Sequence, residues 1–217
     1  MRFLVTAGPT REPIDPVRYI GNRSSGKMGY AIAEAAIEAG HDVGLISGPV
    51  NLDPPHSAKL VPVSTSDEMF NAVHQHVNDC DVLVMCAAVA DYRPATVSPR
   101  KIKKRNDPLS LELVPTRDIL ASLPKQDRQF LVVGFAAETN DIEENAHKKL
   151  RAKNCDIMVA NDVSGAGAGM ESDENEVTIL FRNGEKKKIS RAPKKIIARE
   201  LVKIFSNTRE KCLTKKM

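Results

Sequence analysis

The chain has 217 residues, 41% hydrophobic and 28% charged, a composition that suits one globular α/β domain. No apolar run approaches the ~20 residues of a membrane span, and Met1 leads straight into RFLVTAG without the parts of a secretory signal, so a cytoplasmic protein without a membrane anchor is expected. The net +4 splits into 12 Lys/Arg against 3 Asp/Glu over 183–217 and a balance of −5 over 1–182; with aromatics at 4%, this disfavours general nucleic-acid binding.

Strands are expected where β-branched apolar runs occur, and helices where apolar residues recur at helical spacing. In chain order these are strand Phe3–Thr6, helix Gly26–Ala39 with Gly40 as its stop, and strands Asp42–Ser47 and Lys59–Val63. Helix Ser66–His76, strands Asp81–Ala87 and Ser110–Val114, helix Asp118–Leu123 and strand Phe130–Phe135 follow. Helix Asn140–Lys153 has Thr139–Asn140 as its cap and Asp141, Glu143 and Glu144 in its first turn. Strand Cys155–Ala160 comes next, and Glu176–Arg182, Asn183-Gly184 and Lys186–Ser190 form a hairpin. Helix Pro193–Phe205 closes the series. Such alternation predicts a doubly wound, Rossmann-like, mainly parallel sheet with helices on both faces and a C-terminal β-hairpin region. One domain is expected over 1–207, followed by a basic, frayed tail over 208–217.

In that fold ligands bind beyond the carboxyl ends of the strands. Gly21-Asn22-Arg23-Ser24-Ser25-Gly26-Lys27 nearly spells a phosphate loop, but Met28 replaces the magnesium-binding hydroxyl and fourteen residues separate the loop from its strand. A helix-capping polar loop and an anion site both fit it. Asp91 is the first carboxylate beyond its strand, placed either to cap a turn or to hold Mg²⁺. Arg100-Lys101-Ile102-Lys103-Lys104-Arg105 sets five cations in six residues, a solvated run or a polyphosphate cradle. Phe135 is either a core ring or a platform for a nucleobase. Lys149 and Lys153 share a helix face. The Gly165–Gly169 run precedes an acidic loop rather than a helix and reads as a flexible loop. Cys80, Cys86, Cys155 and Cys212 lack ligand spacing, and neither HExxH nor GxSxG occurs, so reduced thiols are expected and metal or covalent hydrolysis is not.

The segments VTAGPTREPIDPVRYIGNRSSGKMGYAIAEAA, CAAVADYRP, KIKK, VGFAAET and KKLRAKNCDIMVANDVS occur in this order. Together they resemble the phosphopantothenate–cysteine ligases (phosphopantothenoylcysteine synthetases) of coenzyme A biosynthesis, from about Arg2 to Ser164. The resemblance implies that CTP activates the carboxylate of 4′-phosphopantothenate as an acyl cytidylate with release of pyrophosphate. The amine of cysteine then gives 4′-phosphopantothenoylcysteine and CMP. It implies Mg²⁺ or Mn²⁺, no flavin in this chain, a homodimer, and a phosphopantothenoylcysteine decarboxylase as fused domain or partner. By position, Asn22 and Lys101 correspond to catalytic residues. Met85, Cys86, Ala87, Asp91, Lys101, Val114, Pro115, Thr116, Arg117, Phe135, Lys149 and Lys153 correspond to nucleotide contacts, with Asp91 nearest the metal. Relatives often carry Lys-Asn-Pro where this chain has Pro115-Thr116-Arg117. The resemblance also implies that Arg18, Arg23, Ser24 and Ser25 belong to a flap near the substrate phosphate. An NAD(P)-dependent reductase is the competing enzyme reading, and it lacks a compact GxGxxG after the first strand. A nucleotide- or RNA-binding module is the competing non-enzymatic one.

Overall fold

The computed structural model describes residues 1–104, 106–138, 141–162 and 172–214. Its elements are β1 (Arg2–Ala7), β2 (Arg11–Pro13), β3 (Tyr19–Gly21), α1 (Lys27–Glu38), β4 (Asp42–Ser47), β5 (Lys59–Pro62) and α2 (Ser66–His76). After these come β6 (Val82–Met85), β7 (Tyr92–Pro94), β8 (Leu113–Pro115), α3 (Ile119–Ser122), β9 (Leu131–Glu138), α4 (Ile142–Ala152) and β10 (Ile157–Asp162). The chain continues through β11 (Glu174–Phe181), β12 (Lys186–Pro193) and α5 (Lys194–Thr214).

Eight strands form one sheet in the order β12-β11-β10-β9-β6-β1-β4-β5. The six from β10 to β5 are parallel, and β11 and β12 add an antiparallel hairpin at one edge. Both faces are covered, which is why the inner strands read as continuous apolar runs rather than alternating ones. Along β1, Phe3 and Val5 pack with α1 and α5 on one face, while Leu4 packs with α2 and α4 on the other. Large side chains such as Phe3, Ile32, Phe205 and Met69 are fully buried, each stabilising the fold by ~1.5–3 kcal/mol relative to exposure. α2 holds the expected bounds because Thr65 and Glu68 form a reciprocal capping box. Among the described residues no helix is long and apolar enough to cross a membrane.

From β1 the chain steps through β4 to β5, and from β6 through β9 to β10 in the opposite direction. The reversal leaves a crevice between the carboxyl ends of β1 and β6. Gly48, after β4, closes the crevice on one side: a Cβ there would lie 1.9 Å from the Pro9 carbonyl oxygen. Gly29 seats α1 closely on β1, since its Cβ would lie 2.6 Å from that of Ala7.

Two expectations need correction, and one hairpin is added. The strand at Ser110–Val114 is only Leu113–Pro115, and it pairs with β7 in a separate two-stranded sheet; Leu111 and Leu113 are exposed, so this run has no core to enter. The connection after β1 contains a hairpin of β2 and β3, turned at Asp15, whose carboxylate accepts the N–H groups of Val17 and Arg18. The last helix continues past Phe205 to Thr214, because no Gly or Pro breaks it. Residues 208–214 are therefore helical rather than frayed. The Thr139–Asn140 cap and the Gly165–Gly169 run lie outside the described residues.

Arg209 anchors the extended helix. It is 7% exposed, donates to the Gln129 carbonyl and lies 4.0 Å from Asp81. Arg209→Ala is expected to destabilise the protein by about 1.5–3 kcal/mol, the range for a charge-assisted hydrogen bond with a buried partner. The urea midpoint measures this, and an unchanged midpoint would show that the end of α5 adds nothing to stability.

Candidate active site

The crevice is built largely from backbone. Beyond β6, residues 86–91 run beside the end of β1, where the Ala88 N–H donates to Gly8 O at 2.9 Å and the Thr10 N–H to Ala88 O at 3.1 Å. Two threonine hydroxyls extend this stitching: Thr6 Oγ1 accepts from the Ala87 N–H at 3.1 Å, and Thr10 Oγ1 from the Ala90 N–H at 2.9 Å. From the other side Thr116 Oγ1 donates to Ala90 O at 2.6 Å. Asp91, immediately after this clamped segment, is thus fixed in position while its side chain stays exposed.

A cavity of about 440 Å³ opens here, and its lining includes Asn22, Ser24, Cys86, Ala87, Asp91, Phe135 and Lys149. Seven of the expected site residues therefore converge, although they lie as far apart in the chain as residue 22 in a loop and residue 149 on α4. Asn22 reaches across from the loop before α1: its Nδ2 donates to Ala88 O at 3.1 Å and Val89 O at 3.3 Å. Gly26 adopts φ 77° to turn the chain into α1, with its N–H on Ser24 Oγ at 3.3 Å. The N-terminal end of α1, with its partial positive charge, thereby lines the cavity.

Other expected residues are not among the lining of this cavity. Met85 is buried at the end of β6, with its Sδ accepting from Thr6 Oγ1. Val114 and Pro115 belong to β8. Arg117 turns towards α2, 2.8 Å from Asp67, with its guanidinium 3.8 Å from the centre of the Phe70 ring. Lys153 pairs with Asp118, the N-cap of α3. Arg23 and Ser25 line an adjoining cavity of about 360 Å³, which Asn22 and Ser24 share.

Lys101 and Arg18 line a further cavity, of about 880 Å³, with Arg100, Lys103 and Lys104. Asp15 holds both of its sides: it lies 3.4 Å from Arg18 and accepts the Ile102 N–H at 3.1 Å. Burial works against the Asp15 charge, but hydrogen bonds from the N–H groups of Val17, Ile102 and Arg18, with the Arg18 charge, bring its carboxyl below the usual range. Arg105 lies outside the described residues.

The structure adds Lys27, Asn161, Asn175 and Lys194 to the cavity lining. Lys27 ends the near-phosphate-loop string, and the failure at Met28 masked it. Asn175 and Lys194 arrive through the hairpin and α5, and no local pattern announces them. The charged lining among the described residues is thus Lys27, Lys149 and Lys194 against Asp91, an environment for a polyanion. Burial pushes the Cys86 thiol up to about 12, so it stays protonated at neutral pH and is a poor nucleophile. Among the described residues no three His, Cys, Asp or Glu side chains gather as a metal site.

Residues 1–208 match the family described as the DNA/pantothenate metabolism flavoprotein C-terminal domain. The coenzyme A biosynthesis bifunctional protein CoaBC of Bacillus subtilis is 51% identical over 187 residues, 86% of this chain and 46% of that protein. Its counterpart from Escherichia coli K12 is 50% identical over 190 residues, 86% of this chain and 47% of the relative. The chain thus spans about half the length of the curated relatives it matches. Among solved structures, the C-terminal domain of a CoaBC protein superposes with a TM-score of 0.83 at 44% identity, covering 97% of this chain and 96% of that one. A Cab2 variant in complex with phosphopantothenate-cysteine shares the fold, with a TM-score of 0.81 at 16% identity over 99% of this chain and 88% of that one.

Proposed function

We propose that this chain, which belongs to the DNA/pantothenate metabolism flavoprotein C-terminal domain family, is a phosphopantothenate–cysteine ligase of coenzyme A biosynthesis. The observation that carries this reading is the convergence of Asn22, Asp91, Phe135 and Lys149 on one cavity at the β1/β6 crevice. A carboxylate is a poor acyl donor at neutral pH, and nucleotidylation gives it a leaving group. CTP is the proposed nucleotide, with the Phe135 ring as platform for the base and Lys149 beside it. The carboxylate of 4′-phosphopantothenate attacks the α-phosphorus and pyrophosphate departs. The cysteine amine then attacks the acyl cytidylate, forming the amide and releasing CMP. Most of the acceleration comes from positioning and charge neutralisation.

In this reading Asp91 faces the polyphosphate. A single carboxylate oxygen suits Mg²⁺ or Mn²⁺ shared mainly with phosphate oxygens, and the ion would neutralise charge on the nucleotide. The Asn22 amide serves the acyl intermediate from the flap, and Arg18, Arg23, Ser24 and Ser25 serve the substrate phosphate. Lys101 supports formation of the acyl nucleotide, and its separate cavity requires that its loop close or that a partner subunit take part. A homodimer, a cytoplasmic location and a phosphopantothenoylcysteine decarboxylase as partner or adjoining domain belong to the same proposal; flavin, nucleic acid and membrane have no part in it. Against a reductase, the β2–β3 hairpin occupies the connection where a compact dinucleotide loop would run.

Thermal unfolding tests the reading. CTP with Mg²⁺ is expected to raise the melting temperature, since a ligand at 100 times its Kd adds ~2.7 kcal/mol of stability. Stabilisation by NADH or RNA instead would favour the competing readings.

A further inference from the structure

Behind the candidate active site lies another cavity, of about 590 Å³, and Lys27 and Lys194 line both. Lys194 opens α5 and is 7% exposed, a depth that lysine rarely occupies without polar or charged partners. Its ammonium donates to the Ser172 carbonyl. Burial, and after it the charge of Lys27, lower its hold on a proton. Lys27 lies 2.6 Å from Asp173, whose side chain is 86% exposed. Two ammonium groups therefore lie near each other at the first turn of α1, which carries no acidic residue, and the exposed Asp173 carboxylate pairs with Lys27 and also acts on Lys194. A ligand with several negative charges would set charge of opposite sign against both ammonium groups and the helix terminus together.

We propose that Lys27 and Lys194 bind the terminal phosphates of the nucleotide and the inorganic pyrophosphate formed from them, with Asp173 competing with that pyrophosphate for Lys27. The proposal rests on the ligase reading and extends it to the leaving group. As a carboxylate oxygen bonds to the α-phosphorus, the bond from that phosphorus to the α–β bridging oxygen breaks. The bridging oxygen keeps the electron pair and leaves on pyrophosphate, with no proton required. The charge that develops there falls beside two ammonium groups, while the second cavity, which Glu34 and Asp53 also line, is less suited to the anion.

Calorimetric titration with inorganic pyrophosphate and, separately, with CMP tests the proposal, because CMP lacks the groups these lysines would hold. Lys27→Met and Lys194→Met are each expected to weaken pyrophosphate about tenfold or more, as for loss of a charge-assisted hydrogen bond, and to leave CMP affinity close to that of the wild type. Asp173→Asn is expected to tighten pyrophosphate roughly twofold to fivefold, the worth of an exposed ion pair. A purely structural Asp173 would not produce that gain. Unchanged pyrophosphate affinity in both lysine variants overturns the proposal, as does weakening in Asp173→Asn. Should a lysine variant lose CMP as well, Lys194→Arg decides: recovered pyrophosphate binding supports the site, and its absence overturns it. A wild-type protein that binds neither CMP nor CTP would instead overturn the ligase reading itself.

Discussion

Lys101→Gln is expected to reduce pyrophosphate release from CTP and 4′-phosphopantothenate by about 10²–10³-fold, the usual worth of one charge placed where a transition state needs it. Lys101 lies with Arg18, Arg100, Lys103 and Lys104 around one cavity, while Phe135 and Lys149 line another. Loss of its charge should therefore leave nucleotide binding in place, and CTP should still raise the melting temperature of the variant. Glutamine keeps most of the length and the hydrogen-bonding capacity, so the change isolates the charge. Release at the wild-type rate would remove Lys101 from the first step.

Asn22→Asp should separate the two steps. The Asn22 amide donates to two carbonyls, Ala88 O and Val89 O, and a carboxylate there has no proton to offer either. It would also set a negative charge beside the phosphates of the bound nucleotide. The acyl cytidylate is expected to form and persist while transfer to cysteine slows by about 10²-fold, a loss typical for one polar group acting on a developing charge. Rapid quenching and mass spectrometry would detect the intermediate, and failure to find it would remove Asn22 from the assigned role.

The parallel core was legible because its signals are local. Asp42–Ser47 is a six-residue run and Ser66–His76 a capped amphipathic helix, and both appear with the expected bounds. The small sheets were not, since three-residue strands such as Arg11–Pro13 lie below the length at which periodicity speaks. The end of α5 has a local signal, the lack of Gly or Pro, but the contact that anchors it, Arg209 with Gln129, spans 80 residues and is not legible locally. The site divides along the same line. Asn22, Asp91 and Phe135 follow from strand-end loops and resemblance, whereas Lys194 enters only when the C-terminal hairpin folds back beside β10. Arg117 and Lys153, expected beside the nucleotide, pair with the carboxylates of Asp67 and Asp118 in this structure. Sequence placed these cations near the crevice without showing which acid would claim them.

The ligase reading stands most directly on one assay, in which pyrophosphate and amide product are followed together as CTP, 4′-phosphopantothenate and cysteine are omitted in turn. Pyrophosphate is expected only when CTP and 4′-phosphopantothenate are both present, with sustained turnover to 4′-phosphopantothenoylcysteine and CMP when cysteine is added. Pyrophosphate formed without 4′-phosphopantothenate, or no amide product from the complete mixture, would contradict it.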